Sequence, residues 1–156
     1  MNETELFFNA IKNGKADHVK ALIERNLGLV NIKDARGFSP LIFATYFDKK
    51  DCVEALLGFN TEVDAKDASG NTALLGVAFK GNTDLALLLI KKGANINTKN
   101  NLGITPLIFA TMYNQTDMVV LLLEYKADKT IMNKEGKIAM DYAKEKGFKA
   151  IEKLLT

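Results

Sequence analysis

The chain of 156 residues has one cysteine (Cys52), one histidine (His18), no tryptophan, two prolines and only two arginines, Arg25 and Arg36. A lone cysteine excludes an intramolecular disulfide and fits a reducing compartment. With a single histidine and a single cysteine there is no cluster from which to build a zinc site. Two arginines supply bidentate phosphate recognition poorly. An excess of one charge is lacking too: 21 basic and 19 acidic residues give a formal net charge of +2. That balance argues against a nucleic-acid or membrane-surface protein. No apolar run is long enough to span a bilayer. The N-terminus, Met1-Asn2-Glu3-Thr4-Glu5, lacks the basic and apolar regions of a secretory signal, so the expectation is a cytoplasmic protein. With 47% apolar and 26% charged residues, the composition is that of an ordinary folded domain and not of a disordered chain.

What is present is a repeat. Gly37, Gly70, Gly103 and Gly136 stand 33 residues apart. Around them the text recurs as DARGFSPLIFA, DASGNTALLGV, NNLGITPLIFA and NKEGKIAMDYA. The second half of each unit recurs as CVEALLGFNTEVDAKD, LALLLIKKGANINTKN and MVVLLLEYKADKTIMN. Asp34, Asp67, Asn100 and Asn133 lie three residues before the glycines. An Asx side chain bonds the backbone two residues on, and glycine accepts positive φ, so each pair predicts a tight turn. Ser39, Thr72 and Thr105 follow as helix caps, with Pro40 and Pro106 in the first helical position, where the missing N–H is harmless. A first helix runs through Leu41 and Ala44, or Leu107 and Ala110. A second carries Val53, Leu56 and Leu57, or Leu85, Leu88 and Leu89, at helical spacing. One such pair buries too little to stand alone, whereas stacked pairs share a continuous core.

The ends read as weaker copies. Phe7, Ala10, Val19 and Leu22 take the core positions of the first, which has one extra residue between Asn26 and Val30. Met140, Ala143, Ile151 and Leu154 take those of the last. Lysines decorate both ends, as polar-faced caps require. The expected division is an N-terminal cap at 1–33, internal units at 34–66, 67–99 and 100–132, and a C-terminal cap at 133–156.

Catalytic chemistry is not visible. His18 adjoins Asp17 in sequence, but neighbours on a helix do not face each other. Cys52 beside Val53 reads as a small buried hydrophobe without an activating positive cluster. Asp48, Asp51, Glu54, Glu62 and Asp64 read as solvated faces, not as an acid/base pair. Each glycine is accounted for by a turn or a helix end, so no phosphate loop remains. No enzyme, cofactor or metal is expected.

The G-x-S/T-P/A-L start of the first helix, the V-x-x-L-L second helix and the Gly93–Asn97 run GANIN resemble the ankyrin repeat, whose period is about 33 with a T-P-L-H-x-A signature. The resemblance covers essentially the whole chain. It implies an all-α solenoid of five stacked helix pairs with projecting turn tips. It implies a module that binds a protein through its concave face, with no nucleic acid, membrane or small-molecule substrate involved and a monomeric state expected. An inhibitor, effector or immunity-type protein blocking one enzyme is the alternative. The Lys-rich, Arg-poor make-up is like that of short bacterial members. Two departures stand out. The histidine of the signature is replaced by Phe8, Ile42, Leu75, Ile108 and Asp141, where aliphatic packing is expected to substitute. Gly76 stands where the flanking units have Phe43 and Phe109; the expectation is volume compensation, a neighbouring phenylalanine filling the space, with a ligand notch as the other reading.

On the same resemblance, the ends of the first helices face the groove. Tyr46-Phe47, Phe79-Lys80 and Met112-Tyr113 recur there at intervals of 33. The equivalent terminal positions are polar: Lys12 and Asn13, then Lys144 and Glu145. An apolar centre with a polar rim is what a binding patch needs. Phe38, Asn71, Leu102 and Ile104 on the turn tips are expected to extend it as exposed residues.

Overall fold

A computed structural model describes the whole chain, Met1–Thr156. The helices are α1 (Glu3–Lys12), α2 (Ala16–Arg25), α3 (Pro40–Tyr46), α4 (Lys50–Leu57), α5 (Ala73–Lys80), α6 (Thr83–Lys91), α7 (Pro106–Met112), α8 (Thr116–Glu124), α9 (Ala139–Lys146) and α10 (Lys149–Leu155). A single 3-10 turn, Leu27–Asn31, lies between α2 and α3, and there is no strand.

Short polar side chains start these helices and shape the turns between them. The Ser39 hydroxyl accepts the Ile42 N–H at 3.1 Å, Thr72 that of Leu75 at 3.3 Å, and Thr105 that of Ile108 at 3.2 Å. In the last unit Ile138 holds the capping position and cannot accept. There the Asp141 carboxylate reaches back to the Ile138 N–H at 2.8 Å. At the tips, Asp34 accepts the N–H groups of Arg36 and Phe38, and Asp67 those of Ser69 and Asn71. Asn100 and Asn133 repeat the pattern. Gly70 needs its lack of a side chain twice over: its φ is +78°, and a Cβ would stand 2.8 Å from the Asn101 nitrogen.

The helices form two layers. The odd-numbered helices stack on one another, as do the even-numbered ones, and each pair is an antiparallel hairpin. From the second pair onward, neighbours in the odd layer approach each other more closely than those in the even layer. Closer approach on one side bends the stack toward it, so α1, α3, α5, α7 and α9 line the concave side. Between the layers runs one continuous core, from Phe7 and Ile11 through Leu41, Leu56, Leu74, Leu89, Leu107 and Leu122 to Ile151.

The extra residue of the first unit is absorbed by the 3-10 turn, which buries Leu29 and Val30. Phe8, Ile42, Leu75 and Ile108, in place of the signature histidine, are all buried. Neighbouring loops are joined by other groups. Asn31 accepts the Glu62 N–H, Asp64 that of Asn95 and Asn97 that of Asp128, at 2.9 to 3.0 Å. Lys33 and Lys66 each donate to the backbone carbonyl of the lysine 33 residues further on. Three core expectations change: in the last unit Leu155 is buried in place of the exposed Leu154, Met140 is half-buried, and in α6 Leu85 and Leu89 are buried but Leu88 is only half-buried. It lies one helical step, about 100°, round from Leu89 and so faces the edge of the core.

Candidate functional site

The concave side carries a row of rings. Tyr46 is 48% exposed, Phe79 38% and Tyr113 48%. They are held by other rings. Tyr46 packs at 5.1 Å from Phe47 and 5.6 Å from Phe38. Phe79 packs at 4.4 Å from Tyr113 and 5.4 Å from Phe109. The Lys80 ammonium donates to the Tyr46 carbonyl at 2.6 Å and sits 4.3 Å from that ring's centroid. Lys146 repeats this two units later, donating to the Met112 carbonyl beside Tyr113. Such placement favours a cation electrostatically through the ring quadrupole.

Only part of the expected patch is on the surface. Tyr46, Phe79, Lys80, Tyr113 and Leu102 are exposed. Phe47 and Met112 are half-buried, because one member of each outer pair, the second in Tyr46-Phe47 and the first in Met112-Tyr113, points about 100° away from the other and packs inward. The exposed rings therefore lie 33 and then 34 residues apart. Phe38 is half-buried under the Arg36 guanidinium, 4.2 Å from its centroid. Asn71 is half-buried and accepts from Asn100 at 3.0 Å. Ile104, expected to be exposed, is buried: it closes the tip against the core.

Gly76 is the other correction. The space it vacates is not filled by a neighbouring phenylalanine. The residue is exposed, and a Cβ built on it would meet nothing within 4 Å. Above it lies a cleft of about 270 Å³, walled by Phe38, Tyr46, Phe79 and Phe109, with Asp67, Asn71 and Lys80 at its polar edge. A wider trough of about 870 Å³ lies on the other layer, between α2 and α4, lined by Asp17, His18, Lys20, Asp51 and Glu54. It is open and charged, and those side chains project into solvent.

A family model for ankyrin repeats, in three copies, matches residues 6–100 and again 74–156. The chain belongs to the ankyrin-repeat family. No curated protein matches it. Ankyrin repeats are in general protein-protein interaction modules, and the two-layer stack is the form that the family resemblance implied. In this ankyrin-repeat protein no helix is long and apolar enough to cross a membrane. Cys52 is fully buried, its Sγ 3.8 Å from the Ile11 carbonyl. Burial pushes its thiol pKa up, Asp51 adds to the rise, and Lys49 opposes it. That is the opposite of activation. His18 is exposed on α2.

Sequence reasoning overlooked Arg36, Phe109 and Lys146 and underrated Gly76. A signal for the last was available. Position ten of the units reads Phe43, Gly76, Phe109, Tyr142, and glycine is both the outlier and the poor helix former there.

Proposed function

We propose that this ankyrin-repeat protein is a non-catalytic binding module that holds a partner protein along the concave face. The observation that carries this reading is the row Tyr46, Phe79 and Tyr113. Three aromatic side chains, each more than a third exposed, stand on successive units, propped by buried or half-buried rings beneath. Rings fixed in place lose little conformational freedom on binding and supply large contact areas, which is why aromatic residues dominate interface hot spots. Lys80 and Lys146 give the row a polar margin, and Leu102, 64% exposed on its tip, extends it on the turn side.

The test is a triple substitution, Tyr46→Ala, Phe79→Ala and Tyr113→Ala. Tagged wild type and variant are expressed in the source cells, and co-purified proteins are identified by mass spectrometry. The expected result is a partner retained by the wild type and lost by the variant, with unchanged helical circular dichroism. Capture of the same partner at wild-type level by a folded variant would place the binding surface elsewhere.

A further inference from the structure

We propose that the Gly76 cleft is a socket for one aromatic side chain of the partner protein, presented between acidic residues. This rests on the concave face being the binding face and names what one part of it recognises.

The shape of the cleft is that of a missing ring. Ring contacts on the concave side fall into two groups. One joins Phe8, Phe43, Phe47, Tyr46 and Phe38; the other joins Phe79, Phe109 and Tyr113. Between them, at the position held by Phe43 and Phe109 in the flanking units, stands Gly76. The gap, about 270 Å³, exceeds the roughly 150 Å³ that holds a benzene ring in an apolar protein cavity. An inserted ring would meet Tyr46 on one side and Phe79 and Phe109 on the other, the edge-to-face and offset contacts that aromatic side chains favour.

Glycine at this site has no structural excuse. Gly76 is inside α5, its N–H bonded to the Thr72 carbonyl at 3.1 Å, and its φ is not positive. No atom approaches where a side chain would be. Glycine weakens a helix relative to alanine, and all that it supplies here is empty space.

Charge sets the flanks. Lys12, Lys80 and Lys146 lie along the row, and none is in any of the four ion pairs of the protein. Lys80 lines the socket itself. Asp67 lines it as well and is in no ion pair, and Asp34 lies on the neighbouring tip. Asp34 holds Arg36 at 3.0 Å, and Asp67 accepts the N–H groups of Ser69 and Asn71. With Asp34 paired to Arg36, the three lysines outnumber Asp48 and Asp67 along the row, and an acidic segment complements that excess.

The probe is the peptide acetyl-Asp-Asp-Phe-Asp-Asp-amide, titrated into the 15N-labelled full chain and followed by amide shifts. The expected result is saturable shifts centred on Asn71, Gly76 and Lys80. Replacing the peptide's Phe by Ala should weaken binding about tenfold or more, the loss of one buried ring. A Lys-flanked Phe peptide should bind more weakly than the acidic one. Gly76→Phe and Gly76→Leu each fill the socket and should weaken the acidic Phe peptide by a similar factor while keeping native amide dispersion. Lys80→Gln should narrow the difference between acidic and basic peptides. The proposal is overturned by shifts centred elsewhere, by equal binding of the Phe and Ala peptides or of the acidic and basic ones, or by unweakened binding to folded Gly76 variants. Equal affinity for p-cresol alone would also overturn it, making the cleft a small-molecule site. Capture of the cellular partner separates the two readings. If Gly76→Phe still captures it while the triple variant does not, the concave face stands and the socket falls.

Discussion

Replacing Gly76 by alanine should stabilise the protein. Gly76 is the fourth residue of α5 and helical, and the new methyl would meet nothing within 4 Å. The substitution therefore adds no clash and almost no packing, and the effect reduces to the backbone. Glycine has more conformational freedom to lose on folding, and in a helix interior it is worse than alanine by about 0.5–1 kcal/mol. For a chain of this length each kcal/mol moves the melting temperature by about 2–4 °C, so a rise of roughly 1–4 °C is expected. Urea unfolding followed by circular dichroism should show a higher midpoint at an unchanged slope. Gly76→Phe should do at least as well, since its ring can enter the row between Tyr46 and Phe79 and bury additional apolar area. A lower midpoint for Gly76→Ala would refute the reasoning, because it would mean that some group closes on this position in solution and the cleft is not open.

Leu89 is fully buried in α6 at the centre of the stack, so Leu89→Ala should cost about 2–5 kcal/mol by cavity formation, whereas the half-buried Leu88→Ala should cost distinctly less; equal losses in urea unfolding would contradict the assigned core face. Lys126 follows α8 with a φ of +69°, and Lys126→Gly should raise stability by up to about 1 kcal/mol by removing left-handed strain, an expectation that a lower melting temperature would refute. Cys52 has a raised thiol pKa in the folded state. Above about pH 8.5, the ordinary thiol value, the unfolded chain releases this proton before the native one does. Its contribution is thus complete below that value and lost as pH rises through the folded pKa, and Cys52→Ser should flatten this alkaline loss. In native protein near neutral pH the thiol should react with a disulfide reagent only at the rate of opening, and rapid labelling would show that Cys52 is accessible.

The 33-residue spacing of Gly37, Gly70, Gly103 and Gly136 by itself determines the fold class. The reason is local: an Asx turn, a hydroxyl cap and an apolar stripe at helical spacing are each complete within a dozen residues, and a single unit repeats them. Ser39, Thr72 and Thr105 make the bonds their positions predict. The last unit shows the limit of such reading, since Ile138 cannot cap and Asp141 does so from inside the helix.

The binding face was legible only as a register. That Tyr46, Phe79 and Tyr113 share a side follows from the period, but which member of each pair is exposed depends on rotation about short helices and on what the neighbouring unit covers. Phe47 and Met112 turn inward for that reason, and Ile104 is drawn into the core. Arg36 could be placed on a tip from sequence, but not over Phe38. Gly76 shows the division most sharply. Its place in the row is written in the chain, yet whether a missing side chain leaves a cleft or is filled by Phe43 or Phe109 depends on how two flanking units lean against a third. The rings beside it are anchored by their own neighbours, Phe43 by Phe8 and Phe47, and Phe109 by Phe79 and Tyr113, and neither moves across. Contacts between units are decided by packing, and packing is a property of the stack that no single unit contains.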